Sequence, residues 1–476
     1  MNPTLRIPLG GRSWPIVLLG LAFALEATSA AENPPSAKSA GGPPAEMAER
    51  SGPLGSVRRE IYLPSPRPGL APGVDVKYLG AGLRRREIGS LSGKSDLPEK
   101  MKVRFSEDNG RTWSPLVPLE VGVDSLRQGE TFREDLYFAV NFDPQSRRTI
   151  EMVFQRIFLG EPSAVLKKYW QGDKQFYDHM LYRLSADEGR TWTALRPLVY
   201  EGGATFDPAD WAKPAYLQSN EMYGSYAVTI LRNGQIAYPA SLRVPYAEDE
   251  EDRKIRASFP KYAAPPGYVG GVRCFLGKWN RQKSDYEWTV SPPVFVPPRV
   301  STRGLGEPVI AELQDGTLLL DMRGSNDGLD PVQYPGRRWI SLSRDGGHNW
   351  SAVTDLRYDT GEQFYAPGSL AKFIRSHKTG KLYWVGNINR DPPKGGVPRY
   401  PLYIAEVNEE IPALRRSTLT IIDDRAPEDT AAVQFSNFSL LENRETQALE
   451  IYLTRLGEKP GSAFSANAYK YVLTLR

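Results

Sequence analysis

Apolar and polar positions alternate along most of this chain. Runs of four to eight apolar or β-branched residues recur, and turn residues break them. Val74–Leu79, Lys102–Phe105, Thr149–Phe154 and Met180–Leu184 have this form in the first half. Tyr226–Leu231 and Ile236–Tyr238 flank Asn233-Gly234, and Val309–Leu313 and Thr317–Met322 flank Asp315-Gly316. Each pair predicts a hairpin, because Asn-Gly and Asp-Gly supply the positive φ angles of tight turns. Leu370–Ile374, Leu382–Val385, Leu402–Val407, Phe438–Leu441, Leu449–Leu453 and Tyr469–Leu475 continue the pattern. Almost no long stretch has the 3.6-residue period of an amphipathic helix. The chain is therefore predicted to be all-β, in six groups of short strands. The first group starts at Val57 and runs to about Glu120, and the last ends with the chain.

Three of the turns are copies of one another. Ser106, Asp108, Gly110, Thr112 and Trp113 spell Ser-x-Asp-x-Gly-x-Thr-Trp, and Ser185, Asp187, Gly189, Thr191 and Trp192 repeat it. Ser343, Asp345, Gly347 and Trp350 give a third copy, with Asn349 in the Thr place. Ser and Asp bind turn amides, Gly takes positive φ, and Trp anchors the exit. Trp113 and Trp192 are 79 residues apart, and Trp192 and Trp350 are 158 apart, twice that interval. A fixed period marks a repeat architecture. A degenerate copy is expected near Cys274–Trp279 or Trp288.

The repeated motif resembles the Asp box of the sialidase (neuraminidase) superfamily, also called the BNR repeat. The resemblance implies a six-bladed β-propeller with the boxes on a rim away from the active site. Their aspartates are then structural.

The N-terminus adds a leader. Met1–Arg12 carries Arg6 and Arg12 and no acid, and Trp14–Leu25 is a largely apolar run of 12 residues. Thr28–Ala31 supplies small residues for cleavage. This is the pattern of a secretory signal peptide over residues 1–31, too short for a comfortable membrane span. Residues 32–56 are rich in Pro, Ala, Ser and Gly and read as a flexible linker. The propeller is then 57–476, in a secreted or periplasmic protein with no membrane span after signal removal. Cys274 is the only cysteine, so stability must come from core burial rather than an intrachain disulfide. Net charge is +4 and the isoelectric point is about 8.8, which suits an acidic ligand. Acids are interspersed among the bases, which argues against a nucleic-acid partner.

His179, His348 and His377 are the only histidines and have no metal-ligand spacing, so neither a metal nor another cofactor is expected. Carboxylates, arginines and tyrosines remain, the tools of glycoside chemistry on acidic sugars. Glu307 precedes one predicted strand and Arg323 ends the next, 16 residues on. Adjacent antiparallel strands bring those ends together. The pair also resembles the sialidase segment that supplies a catalytic glutamate and one arginine of a carboxylate-binding triad. By the same resemblance Asp96 takes the place of the acid/base aspartate, and Arg399 that of another triad arginine. Arg86, in the run Arg84-Arg85-Arg86, is a further candidate for the cleft.

Two positions depart from that family. Ile61-Tyr62-Leu63-Pro64 stands where sialidases carry Phe/Tyr-Arg-Ile-Pro, and it holds no arginine. Phe435-Ser436 stands where they carry Tyr-Ser, so the nucleophilic phenol is absent there. Tyr365 and Tyr400 are alternative sources of a phenol. The expected activity is a sialidase-like glycoside hydrolase acting on a glycan with an acidic or unusual sugar. The alternatives are a non-catalytic glycan-binding propeller and a polysaccharide lyase.

Overall fold

A computed structural model describes residues 48–94, 99–119, 126–169, 171, 173–202, 206–258 and 264–476. The predicted signal peptide and most of the linker lie outside these residues, as does Asp96. The described chain folds into six antiparallel sheets, the blades of a six-bladed β-propeller.

Blade 1 consists of Ala71–Tyr78, Arg85–Ser92, Glu99–Ser106 and Val117–Pro118. Blade 2 runs from Thr131–Asp143 through Arg148–Leu159 and Phe176–Ser185 to Arg196–Pro197, with Leu126–Gln128 folded against its first long strand. In blade 3, Met222–Gly224 pairs with Ile236–Pro245, followed by Tyr268–Asn280 and Asp285–Val290. Blade 4 is Gly306–Glu312, Leu318–Arg323, Arg338–Ser343 and Thr354–Asp355. Blade 5 is Lys372–Arg375, Leu382–Asn387 and Leu402–Asn408, edged by Ala413–Leu414 and Thr420–Asp423.

Blade 6 closes the ring with both ends of the chain. Ser439–Glu442, Leu449–Thr454 and Ala468–Leu475 are joined by Gly55–Leu63, whose Val57 pairs with Leu473. Ala48–Gly52 adds the outer edge. Two expectations are thereby corrected. Val57 belongs to the last blade rather than the first, and residues 48–56 are largely strand rather than linker. The reason is long-range: the edge of Ala468–Leu475 offers unpaired backbone groups, and a strand from the other terminus satisfies them.

Apolar side chains fill the seams between most neighbouring blades. Met180 of blade 2 packs with Met222 and Ile236 of blade 3, and Leu276 of blade 3 with Ile310 and Leu320 of blade 4. Leu319 and Trp384 join blades 4 and 5, and Val385 and Ile451 join blades 5 and 6. The seam between blades 1 and 2 is polar instead. There Glu151, fully buried, is ion-paired to Arg86 at 2.5 Å and to Arg183 at 2.7 Å.

The three Ser-x-Asp turns have one geometry. Ser106 Oγ accepts from the Gly110 amide at 2.8 Å, and Asp108 accepts from the Thr112 amide and hydroxyl at 2.9 and 2.6 Å. Asp187 repeats this with Thr191, and Asp345 with Asn349, at 2.6–2.9 Å. Arg104 and Arg183 lie over the rings of Trp113 and Trp192, 4.9 and 4.4 Å from the centroids. All three turns join the third strand of a blade to its fourth. The same joint in blade 3 is Asn280–Asp285, between Trp279 and Trp288. It is the expected place for a degenerate copy, but a plain hairpin capped by Asn280 stands there.

Candidate functional site

Strand direction sorts the residues. Strands alternate within a blade, so the start of the first, the end of the second and the start of the third share one rim. The Ser-x-Asp turns follow third strands and lie on the opposite face. Glu307, Arg323 and Arg399 all fall on the first rim.

Glu307 sits where the inner strand of blade 4 is interrupted. The register slips between Gly306 and Val309, and Glu307 has φ of 43°. A non-glycine residue in the left-handed region costs on the order of 1–3 kcal/mol and persists where its surroundings demand it. Here the slip aims Glu307 at Arg323, Oε1 to Nη1 2.8 Å. Glu307 is 7 % and Arg323 5 % exposed. The predicted juxtaposition is present.

Arg399 is buried on the same rim. Its Nε donates to the Gly396 carbonyl, Nη2 to the Gly368 carbonyl and Nη1 to Ser436 Oγ, at 3.0, 3.1 and 3.3 Å. Gly368 also lies against Arg323: a Cβ there would be 3.7 Å from Arg323 Cδ. The two arginines therefore flank one glycine.

The other candidates are placed differently. Asp96 lies outside the described residues, although the strands it connects, Arg85–Ser92 and Glu99–Ser106, end and begin on this rim. Arg86 is on a strand, not a loop, and is paired to Glu151 in the seam between blades 1 and 2. The Tyr365 ring lies under Arg337, 4.9 Å away, and its carbonyl accepts from the Asn389 amide. The Tyr400 carbonyl accepts from Asn389 Nδ2 at 2.8 Å, and its ring packs beside the core of blades 5 and 6. Tyr62 is structural. Its hydroxyl binds Glu87 and Arg104, and its ring meets Tyr452 edge-on at 5.0 Å.

Phe435 is 0 % exposed, in the core of blades 5 and 6 under Arg455. The residues of that blade that face the central cavity are Asn437, Phe438 and Ser439.

Sequence reasoning missed four residues here. Tyr223 and Tyr226, of blade 3, line the central cavity and share a hydrogen bond between their hydroxyls. Burial pushes the Tyr223 phenol well up, helped by Tyr226 and by the charge of Glu307. Glu134 stands opposite Arg156 in the register of blade 2, two residues before the cavity-lining Leu136. Burial raises the Glu134 carboxyl above its ordinary value, while Arg156 pulls the other way. Arg156 itself is held by Asp178 through two contacts of 2.7 and 3.0 Å. Glu134 had one legible signal, its place in the charged run Arg133-Glu134-Asp135 next to an apolar one. Tyr223 and Tyr226 had none, because tyrosines are ordinary strand residues.

Among the described residues no group of three or more His, Cys, Asp or Glu side chains gathers closely enough to hold a metal. No described helix is long and apolar enough to cross a membrane.

No protein-family model and no curated protein matches the chain. Solved structures do. A protein of unknown function from Dyadobacter fermentans is 14% identical, with a TM-score of 0.53, covering 88% of this chain and 99% of its own. The NanB sialidase from Streptococcus pneumoniae is 13% identical, with a TM-score of 0.51, covering 84% of this chain and 68% of its own. At these identities the likeness is one of fold, the sialidase-type six-bladed propeller.

Proposed function

We propose that this protein is an exported glycoside hydrolase that cleaves a glycan carrying an acidic or unusual sugar. The observation that carries the reading is Glu307: buried, left-handed and paired to Arg323 on the rim away from the Ser-x-Asp turns. A buried carboxylate held in the left-handed region is a site signature, since packing alone gives no reason to hold it there. The propeller likeness to a sialidase supports a glycan as the substrate class.

In this reading Glu307 is the general base. It orients a water toward the anomeric carbon, and Arg323 keeps the carboxylate ionised and aimed. A second carboxyl protonates the departing glycosidic oxygen. Glu134 suits that part, because burial lets it keep its proton to higher pH. Asp96 is the other candidate, by its place between strands that meet this rim. The water adds to the anomeric carbon as the bond to the leaving oxygen breaks, so the product inverts. With Phe435 in the core, no phenol from that position takes part. Arg399 positions the rim through Gly368 and Ser436.

The test is incubation of the pure protein with a panel of acidic glycans, with products read by mass spectrometry. Hydrolysis adds water to the product, and Glu307→Gln abolishes the reaction. An unsaturated sugar would make the protein a lyase, and retention of intact glycan would make it a binding module. Either result overturns the proposal.

A further inference from the structure

The centre of the propeller encloses a cavity of about 300 Å³, at the lower end of the range for small-molecule sites. Its walls are mostly apolar: Val74, Ile88, Leu136, Phe154, Leu370 and Phe438. Among the described residues four charged side chains also line it, Asp75 and Lys77 from blade 1, Arg156 from blade 2 and Lys372 from blade 5. Arg156 is balanced by Asp178 behind it. That leaves two lysines and one carboxylate.

Lys77 has taken the carboxylate, Nζ to Asp75 Oδ1 2.9 Å. Lys372 is buried, with its Nζ 5.7 Å from the Phe438 ring. Burial and then the Lys77 charge push the Lys372 amine well below its ordinary range, and Asp75 offsets only part of this. The other groups facing the pair do not alter the count. Arg86 is tied to Glu151, the Tyr223 and Tyr226 hydroxyls bond to each other, and Ser439 Oγ bonds with the Val76 amide and carbonyl. The chamber therefore sets two amines against one carboxylate, and solvent reaches it, since Asp75 has 39% of its side chain exposed. An amine is not kept in such a place for packing, where Met or Leu would fill the volume without the desolvation cost, and an anion bound beside it would favour its protonated form.

We propose that this cavity is a subsite for a monovalent carboxylate, bound between Lys77 and Lys372, and that the carboxylate belongs to an acidic sugar of the substrate. Only the last clause rests on the glycoside-hydrolase reading. The charge count selects a monoanion over a dianion. Its size limits the cavity to about one sugar residue or a smaller acid.

Isothermal titration of the whole protein tests this with acetate, glucuronate, sulfate and glucose. Glucuronate is expected to bind, acetate to compete with it, and glucose to give no heat. Lys372→Met should weaken glucuronate binding by at least about tenfold, the size of a charge-assisted hydrogen bond lost. That variant should melt no lower than the parent, because it removes a buried amine that packing does not need. Asp75→Asn removes the internal competitor and should tighten binding, a gain that misfolding does not produce. Sulfate binding more tightly than glucuronate would refute the carboxylate assignment. Absence of glucuronate binding, or binding that neither substitution changes, would refute the site. Glucuronate binding that survives Glu307→Gln, in a protein that cleaves no glycan, would sink the hydrolase reading and leave this one standing.

Discussion

The Glu307–Arg323 pair makes a sharp prediction about energy as well as chemistry. Both side chains are less than one-tenth exposed and meet at 2.8 Å. Removing one partner of such a pair strands the other charge in a poor solvent, which costs about 3–5 kcal/mol. Arg323→Met should fall in that range, because Glu307 is left ionised and buried. Glu307→Gln keeps a neutral acceptor for the guanidinium, so its loss should be smaller, about 2–3 kcal/mol. The double variant carries neither charge. Its loss should therefore be no greater than that of Arg323→Met alone, a coupling of about 2 kcal/mol or more. The backbone adds a second handle. Asn enters the left-handed region more readily than Gln, so Glu307→Asn should recover part of the Gln variant's loss. Urea unfolding of the four proteins, followed by tryptophan fluorescence, gives the cycle. Additivity within about 0.5 kcal/mol would show that the pair is not coupled, and the strain argument for the site would fail with it.

Three further outcomes are expected. Thr112, through its hydroxyl and then its amide, lowers the Asp108 carboxyl from 3.8 to about 2. Its stabilising effect is therefore present above the unfolded value and lost as pH falls from about 4 towards 2. The melting temperature of Asp108→Ala should lie below the parent's at pH 6 and converge with it near pH 2, while turnover per folded molecule persists; a constant gap would contradict the turn assignment. Phe435→Tyr puts a hydroxyl into a fully buried ring site and should destabilise by about 1–3 kcal/mol with no gain in activity. A gain in glycan turnover would mean that Phe435 does face the substrate. Release of sialic acid from a fluorogenic α-sialoside should be slight or nil, since the Ile61–Pro64 stretch has no arginine and Phe435 has no hydroxyl. Robust release that depends on Glu307 would overturn that expectation.

Local chemistry determined much of this molecule. Alternating apolar runs broken by Asp-Gly and Asn-Gly specify strands and hairpins wherever they occur. The Ser, Asp and Gly that shape each Ser-x-Asp turn are bonded within the turn, from Ser106 to Thr112 and in the equivalent copies. The meeting of Glu307 and Arg323 was legible for the same reason, because one hairpin joins them and its register is local. What the sequence left open depends on contacts between distant segments. Gly55–Leu63 finds its partner at the far end of the chain, and nothing near Val57 announces Leu473. Arg86 was a candidate for the cleft, and Glu151 claims it instead across a seam between blades. Phe435 and Phe438 stand three positions apart and both join the core of blades 5 and 6, and only packing decides which of the two rings also lines the cavity. Lys77 and Lys372 are almost three hundred residues apart. Closing the ring brings their strands to one axis, and that enclosure, which no single stretch encodes, turns two ordinary lysines into neighbours with a charge to match.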